Sequence, residues 1–506
     1  MPVEQLNNYV AGRFVPSASR ELLDVENPST GEKIARVPLS TPDEVDRAVA
    51  AANEAFPAWS AMPVARRCEL LFKLAARIRA EAEELARLVT TENGKSLPDS
   101  RAEVKRALEN TEVACGMPVL QQGDKLVGAA ADIDGEVLRL PLGAFGMIAP
   151  FNFPMMVPFW FFPYALATGN TYVVKPSEQV PLSMGRVAEL LHEVGFPSGV
   201  FNVVHGDRVA AERMTEHPGL RGISFVGTSR VGRIVAAKCV ETGKRFQALG
   251  SAKNHLVAMP DAKLEPMIRN MVTSCYGCAG QRCMASSAIV AVGEANYREV
   301  CERFVEASRE VIVADPLDPA VADEAMVMGP VISAKAKQFI LAMIQAGIDE
   351  GATLALDGRE LKKGPGPFSG TKRDLVPFSA GHFLGPTVFT DVKPGMKIHR
   401  TEIFGPVVVI LRADSLDEAI RVINEHEYGN GASIYTQNGH YARRFKLETL
   451  CGMIGINVGI PAPVAPLPFG GMKTSLLADV KAQGRAVIDF YTDKKIVTER
   501  YWAEEE

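Results

Sequence analysis

Thr171-Tyr172-Val173-Val174-Lys175-Pro176-Ser177-Glu178 decides the fold. Its first five residues read as a buried strand, and Gly146 to Ala149, Val200 to His205 and Gly222 to Val226 read the same way on either side. The segments between these runs have helical length and helical spacing of apolar residues. That alternation predicts an α/β chain with a parallel, doubly wound sheet, whose ligands bind at the carboxyl ends of the strands. Upstream lies a helical region. Thr41-Pro42-Asp43-Glu44 combines a capping box with proline at the first helical position, so a helix begins at Pro42. Leu70, Leu71, Leu74 and Ile78, then Leu85 and Leu88, predict further helices, and another follows Pro98 with Val104 and Leu108 on one face. Downstream, Pro260 to Pro468 forms a second α/β region, with a capping box at Ser415 to Glu418 and a strand at Ala432 to Thr436. Gly358 to Gly385 reads as a surface insertion. Ala486 to Glu499 alternates like an exposed strand, and an edge of that kind favours pairing with a second subunit.

Composition narrows the function. The chain has 506 residues, 47% hydrophobic and 23% charged, enough for two or three domains and a large core. Its net charge of -5, with both signs interspersed, argues against a nucleic-acid face or a polybasic membrane anchor. Met1 to Val10 lacks the charged-then-apolar order of a signal peptide, and Met155 to Ala167 is too short and proline-broken to span a bilayer. A cytoplasmic protein acting on small molecules is the expectation. Cys275 and Cys278 make half a zinc motif with no second pair, so no metal is expected. Cys68, Cys115, Cys239, Cys301 and Cys451 read as small buried hydrophobes.

No G-x-G-x-x-G fingerprint and no Walker A sequence is present; Gly94-Lys95-Ser96 has Val89 where the earlier glycine would stand. A nucleotide site must rest on other residues. At the end of a strand, Lys175 and Glu178 suit the two hydroxyls of an adenosine ribose, and a carboxylate there repels a 2′-phosphate, which favours NAD over NADP. Phe225-Val226-Gly227-Thr228-Ser229 ends another strand and opens a helix, offering amide groups and a positive helix end to a pyrophosphate. Each signal alone is weak; together in one βα region they are more specific. Asn152, in Pro150-Phe151-Asn152-Phe153-Pro154, reads equally as a turn residue or as a donor to a developing oxyanion.

The order of these motifs, with Gly280-Gln281-Arg282-Cys283, Glu402-Ile403-Phe404-Gly405-Pro406 and Pro468-Phe469-Gly470-Gly471-Met472-Lys473, resembles the aldehyde dehydrogenase superfamily over nearly the whole chain. The resemblance implies a Rossmann-like NAD domain over 1–124 and 146–253, an α/β catalytic domain over 254–467, and a small β oligomerisation arm from 125–145 and 468–506. It implies Cys283 as nucleophile, with Asn152 and the Cys283 amide as oxyanion hole. For the cofactor it implies Lys175 and Glu178 on the adenosine ribose, Gly227 and Ser229 near the pyrophosphate, Glu402 on the nicotinamide ribose, and Phe151 and Phe404 beside it. A homo-oligomer, dimer or tetramer, follows from the same likeness.

One element of the pattern is missing. Hydrolytic members carry a Glu-Leu-Gly-Gly-Lys segment that supplies a general base, whereas here the stretch is Leu249-Gly250-Ser251-Ala252-Lys253. With Lys253 as register, Leu249 replaces the glutamate, and no Asp or Glu occurs from Thr242 to Pro260. Within the superfamily the chain is most similar to the CoA-acylating methylmalonate-semialdehyde dehydrogenases, on Ala252-Lys253-Asn254-His255, Met155 to Pro163, Glu103 to Arg106 and Ile456-Asn457-Val458. That likeness implies CoA as acyl acceptor and Arg106 and Arg282 near a substrate carboxylate, a role for which a bidentate guanidinium is well suited. Without it, Arg106 is a solvated helix residue. Gly459, Ala462 and Met472 depart from the subfamily pattern, and the Gly358 to Gly385 insertion is longer than expected. A hydrolytic enzyme using Glu402 or solvent as base, and a non-catalytic scaffold, are the rival readings.

Overall fold

The structure is a computed structural model and describes residues 4–324, 326–359 and 381–502. Four long helices precede the parallel strands of the first large sheet: Pro42–Ala61, Val64–Ala80, Ala82–Asn93 and Leu97–Cys115. The first begins where the capping box places it, with the Glu44 carboxylate accepting the Thr41 amide at 2.9 Å. Ser96 caps the fourth by accepting the Asp99 amide at 3.2 Å, and Pro98 sits in its first turn, where no amide is needed.

The first sheet has five parallel strands in the spatial order Phe201–Val203, Thr171–Lys175, Ala144–Ile148, Leu220–Val226, Arg245–Leu249. The chain starts in the middle, runs to one edge and returns to the other side. This doubly wound order puts a switch point between Ala144–Ile148 and Leu220–Val226, with Asn152 and Gly227 just beyond the carboxyl ends. Antiparallel strands close both edges: Asn8–Val10 with Arg13–Val15 on one, Leu476–Leu477 on the other. Strand bounds shift from expectation by a few residues. The Val200 to His205 run shortens to Phe201–Val203, and the Gly222 run extends back to Leu220 across a register irregularity.

A seven-stranded sheet builds the second region, ordered Thr353–Leu356, Thr387–Thr390, Val407–Ala413, Ala288–Val292, His255–Ala258, Gly431–Tyr435, Met453–Ile456, with only the first strand antiparallel. The Ser415 cap forms as expected, accepting the Glu418 amide at 3.2 Å, but the Glu418 carboxylate reaches one residue further, to the Asp414 amide at 2.7 Å. Most of the expected insertion between Gly358 and Gly385 lies outside the described residues. Its two flanking glycines meet, the Gly385 amide donating to the Gly358 carbonyl at 2.8 Å.

The C-terminus corrects one expectation. Ala486 to Glu499 is not one strand: Ala486–Tyr491 is a helix and only Thr492–Glu499 is extended. Val487, Ile488, Phe490 and Tyr491 are all buried, a helical spacing that the neighbouring alternation obscured. The strand pairs with Ile133–Pro141, which pairs in turn with the exposed Asp124–Ala130, making a separate three-stranded antiparallel sheet.

Candidate active site

Cys283 follows the Leu264–Tyr276 helix and a tight turn, Gly277–Gly280, in which Cys278 and Ala279 both have φ of 52°. A Cβ on Gly280 would lie 2.2 Å from the Gly405 carbonyl oxygen, so only glycine permits this approach. Phe404, beside Gly405, also has positive φ, at 56°. Two strained segments are thus pressed together at the motifs Gly-Gln-Arg-Cys and Glu-Ile-Phe-Gly-Pro, as expected of a built site. Asn254 and Asn430 donate to the Cys283 carbonyl at 2.8 and 3.0 Å and anchor the backbone there.

The Cys283 side chain opens on a cavity of about 170 Å³ walled by Asp99, Glu103, Arg106 and Arg282 on its charged side and by Phe153, Trp160, Ile460, Pro463 and Phe469 on its apolar side. Burial, and next the negative Glu402, push the Cys283 thiol up to about 12, against the pull of Arg282. The reactive thiolate is therefore scarce at neutral pH and grows about tenfold per pH unit below that value. Alkylation of Cys283 by iodoacetamide, followed by peptide mass mapping, is expected to accelerate continuously from pH 7 to pH 10. A plateau already at pH 7 would contradict this environment.

Asn152 lies four residues beyond the Ala144–Ile148 strand, is 5% exposed, and its side-chain amide has no hydrogen-bond partner among the described residues. Its backbone carbonyl, in contrast, accepts from the Lys95 ammonium at 2.5 Å. Its neighbour Phe153 lines the Cys283 cavity.

Both predicted arginines line that cavity, in unlike states. Arg282 pairs with Asp99 at 2.6 Å and lies against Gly277, where a Cβ would come within 3.0 Å of the guanidinium. Burial alone would raise the Asp99 carboxyl, but Arg282 and then Lys95 hold it below the usual carboxylate range. Among the described residues Arg106 pairs only with Glu109, at 2.7 Å, and that pair is part-exposed and weak. Asp99 and Arg106 are two turns apart on the Leu97–Cys115 helix and share its face. Arg282 is thus largely neutralised within the wall, and Arg106 is the more available cation.

On the cofactor side, Lys175 ends its strand with its ammonium donating to the Gly206 and Pro176 carbonyls at 2.6 and 2.8 Å and 3.4 Å from Glu178. The Phe151 and Phe404 rings meet edge to face, with centroids 5.8 Å apart. Glu402 accepts the Ala252 amide at 2.8 Å, and burial raises its carboxyl to about 7. Lys253, lowered to about 7 by burial, holds the Ile398 and Thr401 carbonyls at 2.8 and 3.1 Å and so fixes the segment that carries Glu402. The turn at Gly227 differs from expectation. The Gly227 amide donates to Leu249, the Ser229 amide to Ser251, and the Val231 amide to the capping Thr228. The Ser229 hydroxyl donates to the Thr474 carbonyl at 2.7 Å while accepting the Ser251 amide at 2.9 Å. These groups are engaged internally, and the positive end of the Ser229–Glu241 helix is what remains for an anion.

Leu249 is the last residue of its strand and is buried, 4% exposed. The half-motif cysteines have separate partners: the Cys275 thiol donates to the Ser286 carbonyl at 2.7 Å, and Cys278 lies 3.4 Å from Arg282. The motifs assigned no role to Lys95, Asp99, Glu103 or Asn430. Glu103 could have been noticed, because it falls on the apolar face of its helix between Ser100 and Ala107, where a carboxylate is unusual.

A buried cysteine lining a small cavity, next to a doubly wound nucleotide-type sheet, fits an oxidoreductase. Residues 14–497 match the aldehyde dehydrogenase family, and the chain belongs to that family. It is 45% identical over 499 residues to malonate-semialdehyde dehydrogenase 1 of Geobacillus thermodenitrificans, covering 99% of each chain. A malonate-semialdehyde dehydrogenase of Halalkalibacterium halodurans is 45% identical over 498 residues, 98% of this chain and 99% of that one. Among solved structures, a Sinorhizobium meliloti protein provisionally named a methylmalonate-semialdehyde dehydrogenase, in complex with NAD, superposes with a TM-score of 0.94 at 37% identity, covering 99% of both chains. The methylmalonate-semialdehyde dehydrogenase of Oceanimonas doudoroffii gives 0.93 at 35% identity, also covering 99% of both.

Proposed function

We propose that this chain is a CoA-acylating, NAD-dependent dehydrogenase of malonate or methylmalonate semialdehyde. The observation that carries the reading is the buried Leu249 at the strand end where hydrolytic relatives keep their base, in a molecule whose cysteine cavity also holds Arg106 and Arg282. Arg106 attracts the substrate carboxylate, and the apolar wall excludes water from the aldehyde. The Cys283 thiolate adds to the carbonyl carbon; the Asn152 amide and the Cys283 backbone amide stabilise the resulting alkoxide. The alkoxide collapses with loss of hydride and leaves an acyl thioester on Cys283. NAD, when bound, supplies the hydride acceptor; Lys175 and Glu178 hold its adenosine ribose and Glu402 its nicotinamide ribose. The CoA thiolate attacks the thioester carbonyl and expels the Cys283 thiolate, which needs no activated water, and the carboxylate β to the thioester carbonyl leaves as CO₂, its bonding electrons forming an enolate that takes a proton, so that the product is acetyl-CoA or propionyl-CoA.

Support for NAD rather than NADP is the Glu178 carboxylate, which repels a 2′-phosphate. The exposed Asp124–Ala130 strand, with Leu126 and Val127 largely in solvent, supports an arm that joins copies of the chain into a homo-oligomer. A cytoplasmic setting fits dependence on NAD and CoA, and no helix among the described residues is long and apolar enough to cross a membrane.

The test is NADH formation by purified enzyme from malonate and methylmalonate semialdehyde, with and without CoA, with products identified by mass spectrometry. Sustained turnover is expected only with CoA, yielding acetyl-CoA or propionyl-CoA. The rival hydrolytic reading draws on Glu402, whose carboxyl is raised to about 7 and is thus poised as a base. Steady release of free acid without CoA would decide for it.

A further inference from the structure

Lys95 and Glu103 form an ion pair at 2.6 Å in which both side chains are fully buried. Such a pair is a poor source of stability, because the cost of desolvating two charges offsets most of their attraction. What sets this one apart is where its remaining bonds go. Lys95 donates to the Asn152 carbonyl at 2.5 Å and places its ammonium 3.8 Å over the Phe153 ring. Glu103 accepts the Met155 and Met156 amides through one oxygen, at 2.9 and 3.0 Å. Asn93 adds a bond to the Phe151 carbonyl at 2.9 Å. Among the described residues, the side-chain hydrogen bonds of the pair outside itself therefore fall on residues 152–156, and the backbone around Asn152 is gripped from both sides. Within this cluster, the Asn152 backbone carbonyl is held while its side-chain amide makes no hydrogen bond to any described residue. Backbone over-determined and donor left open is the arrangement a preorganised oxyanion donor requires.

We infer that Lys95 and Glu103 are positioning residues that hold Asn152 in place for the carbonyl oxygen during thiolate addition. The inference rests on the reading of Asn152 as oxyanion donor. A displacement of about 1 Å of such a group costs about a hundredfold in rate, and removing the donor itself costs about a hundredfold to a thousandfold.

The experiment is a double-mutant cycle read by the single-turnover rate of NADH formation, with NAD affinity measured in parallel. Lys95→Met is expected to slow the reaction by about ten- to a hundredfold while NAD affinity stays within about twofold, since the residue acts through Asn152. In an Asn152→Ala background the same substitution is expected to cost less than about threefold, because the group it positions is gone. Equal losses in both backgrounds would mean that the pair merely joins two segments, and would overturn the inference while leaving Asn152 its role. An Asn152→Ala enzyme of normal rate would overturn the Asn152 reading, and the inference with it. Should Lys95→Met not fold, Asn93→Ala, which loses only the bond to the Phe151 carbonyl, runs the same cycle with a smaller expected loss and the same non-additivity.

Discussion

Cys283→Ala is expected to lower NADH formation by at least about 10⁴-fold, the order found when a covalent nucleophile is deleted. The loss is chemical. Asn254 and Asn430 hold the carbonyl of residue 283, not its thiol, and the tight approach of Gly280 to Gly405 involves backbone alone. Alanine therefore keeps the loop in place, and the variant should melt at the temperature of the parent. Cys283→Ser should be nearly as inactive, because a hydroxyl ionises at far higher pH than even this hindered thiol. Residual activity near one per cent in the alanine variant would mean that another group carries the acyl chain.

Leu249→Glu is expected to open a CoA-independent route to free acid. Without CoA the parent enzyme should give a burst of one NADH per site and then stall with the acyl group on Cys283. A glutamate at the strand end would be surrounded by the apolar groups that now bury Leu249, and burial raises a carboxyl towards neutrality, where it serves as a base for water. The substitution also buries a polar group at a cost of about 1–3 kcal/mol, so a lower melting temperature is expected alongside the new activity. A folded Leu249→Glu enzyme that still stalls after one turnover would sink the alignment of Leu249 with the missing base.

Much of the architecture was legible because it depends on local periodicity. The Thr171–Lys175 strand and the helix start at Pro42 fall where their own residues place them, since a buried parallel strand and a capping box are both written in adjacent positions. The failures share a cause. At the C-terminus, Val487 to Tyr491 form a helix because four apolar side chains find the core, and Tyr491 reaches the buried Tyr172 and Ser224 hydroxyls, residues more than 260 positions away. The internal bonding of Ser229 depends likewise on Thr474 and Ser251. Cys283, Asn152, Glu402 and the two arginines were visible as motif members, whereas Lys95 was readable only as part of a failed phosphate-loop pattern. Its meaning arises from Glu103 and Asn152, 8 and 57 positions on, which no local window contains.

The cavity around Cys283 has two kinds of wall, and they should respond differently to artificial selection. Asp99, Glu103 and Arg106 all project from the single Leu97–Cys115 helix, so any change on this side that shifts the helix also moves the partner of Arg282 and the carboxylate that holds the Met155 amide. Ile460, Ala462 and Pro463 face the same space from the segment that follows the Met453–Ile456 strand. Substrate range is therefore most evolvable from the 460–463 side, where side-chain volume can be exchanged without touching the parts that set the rate.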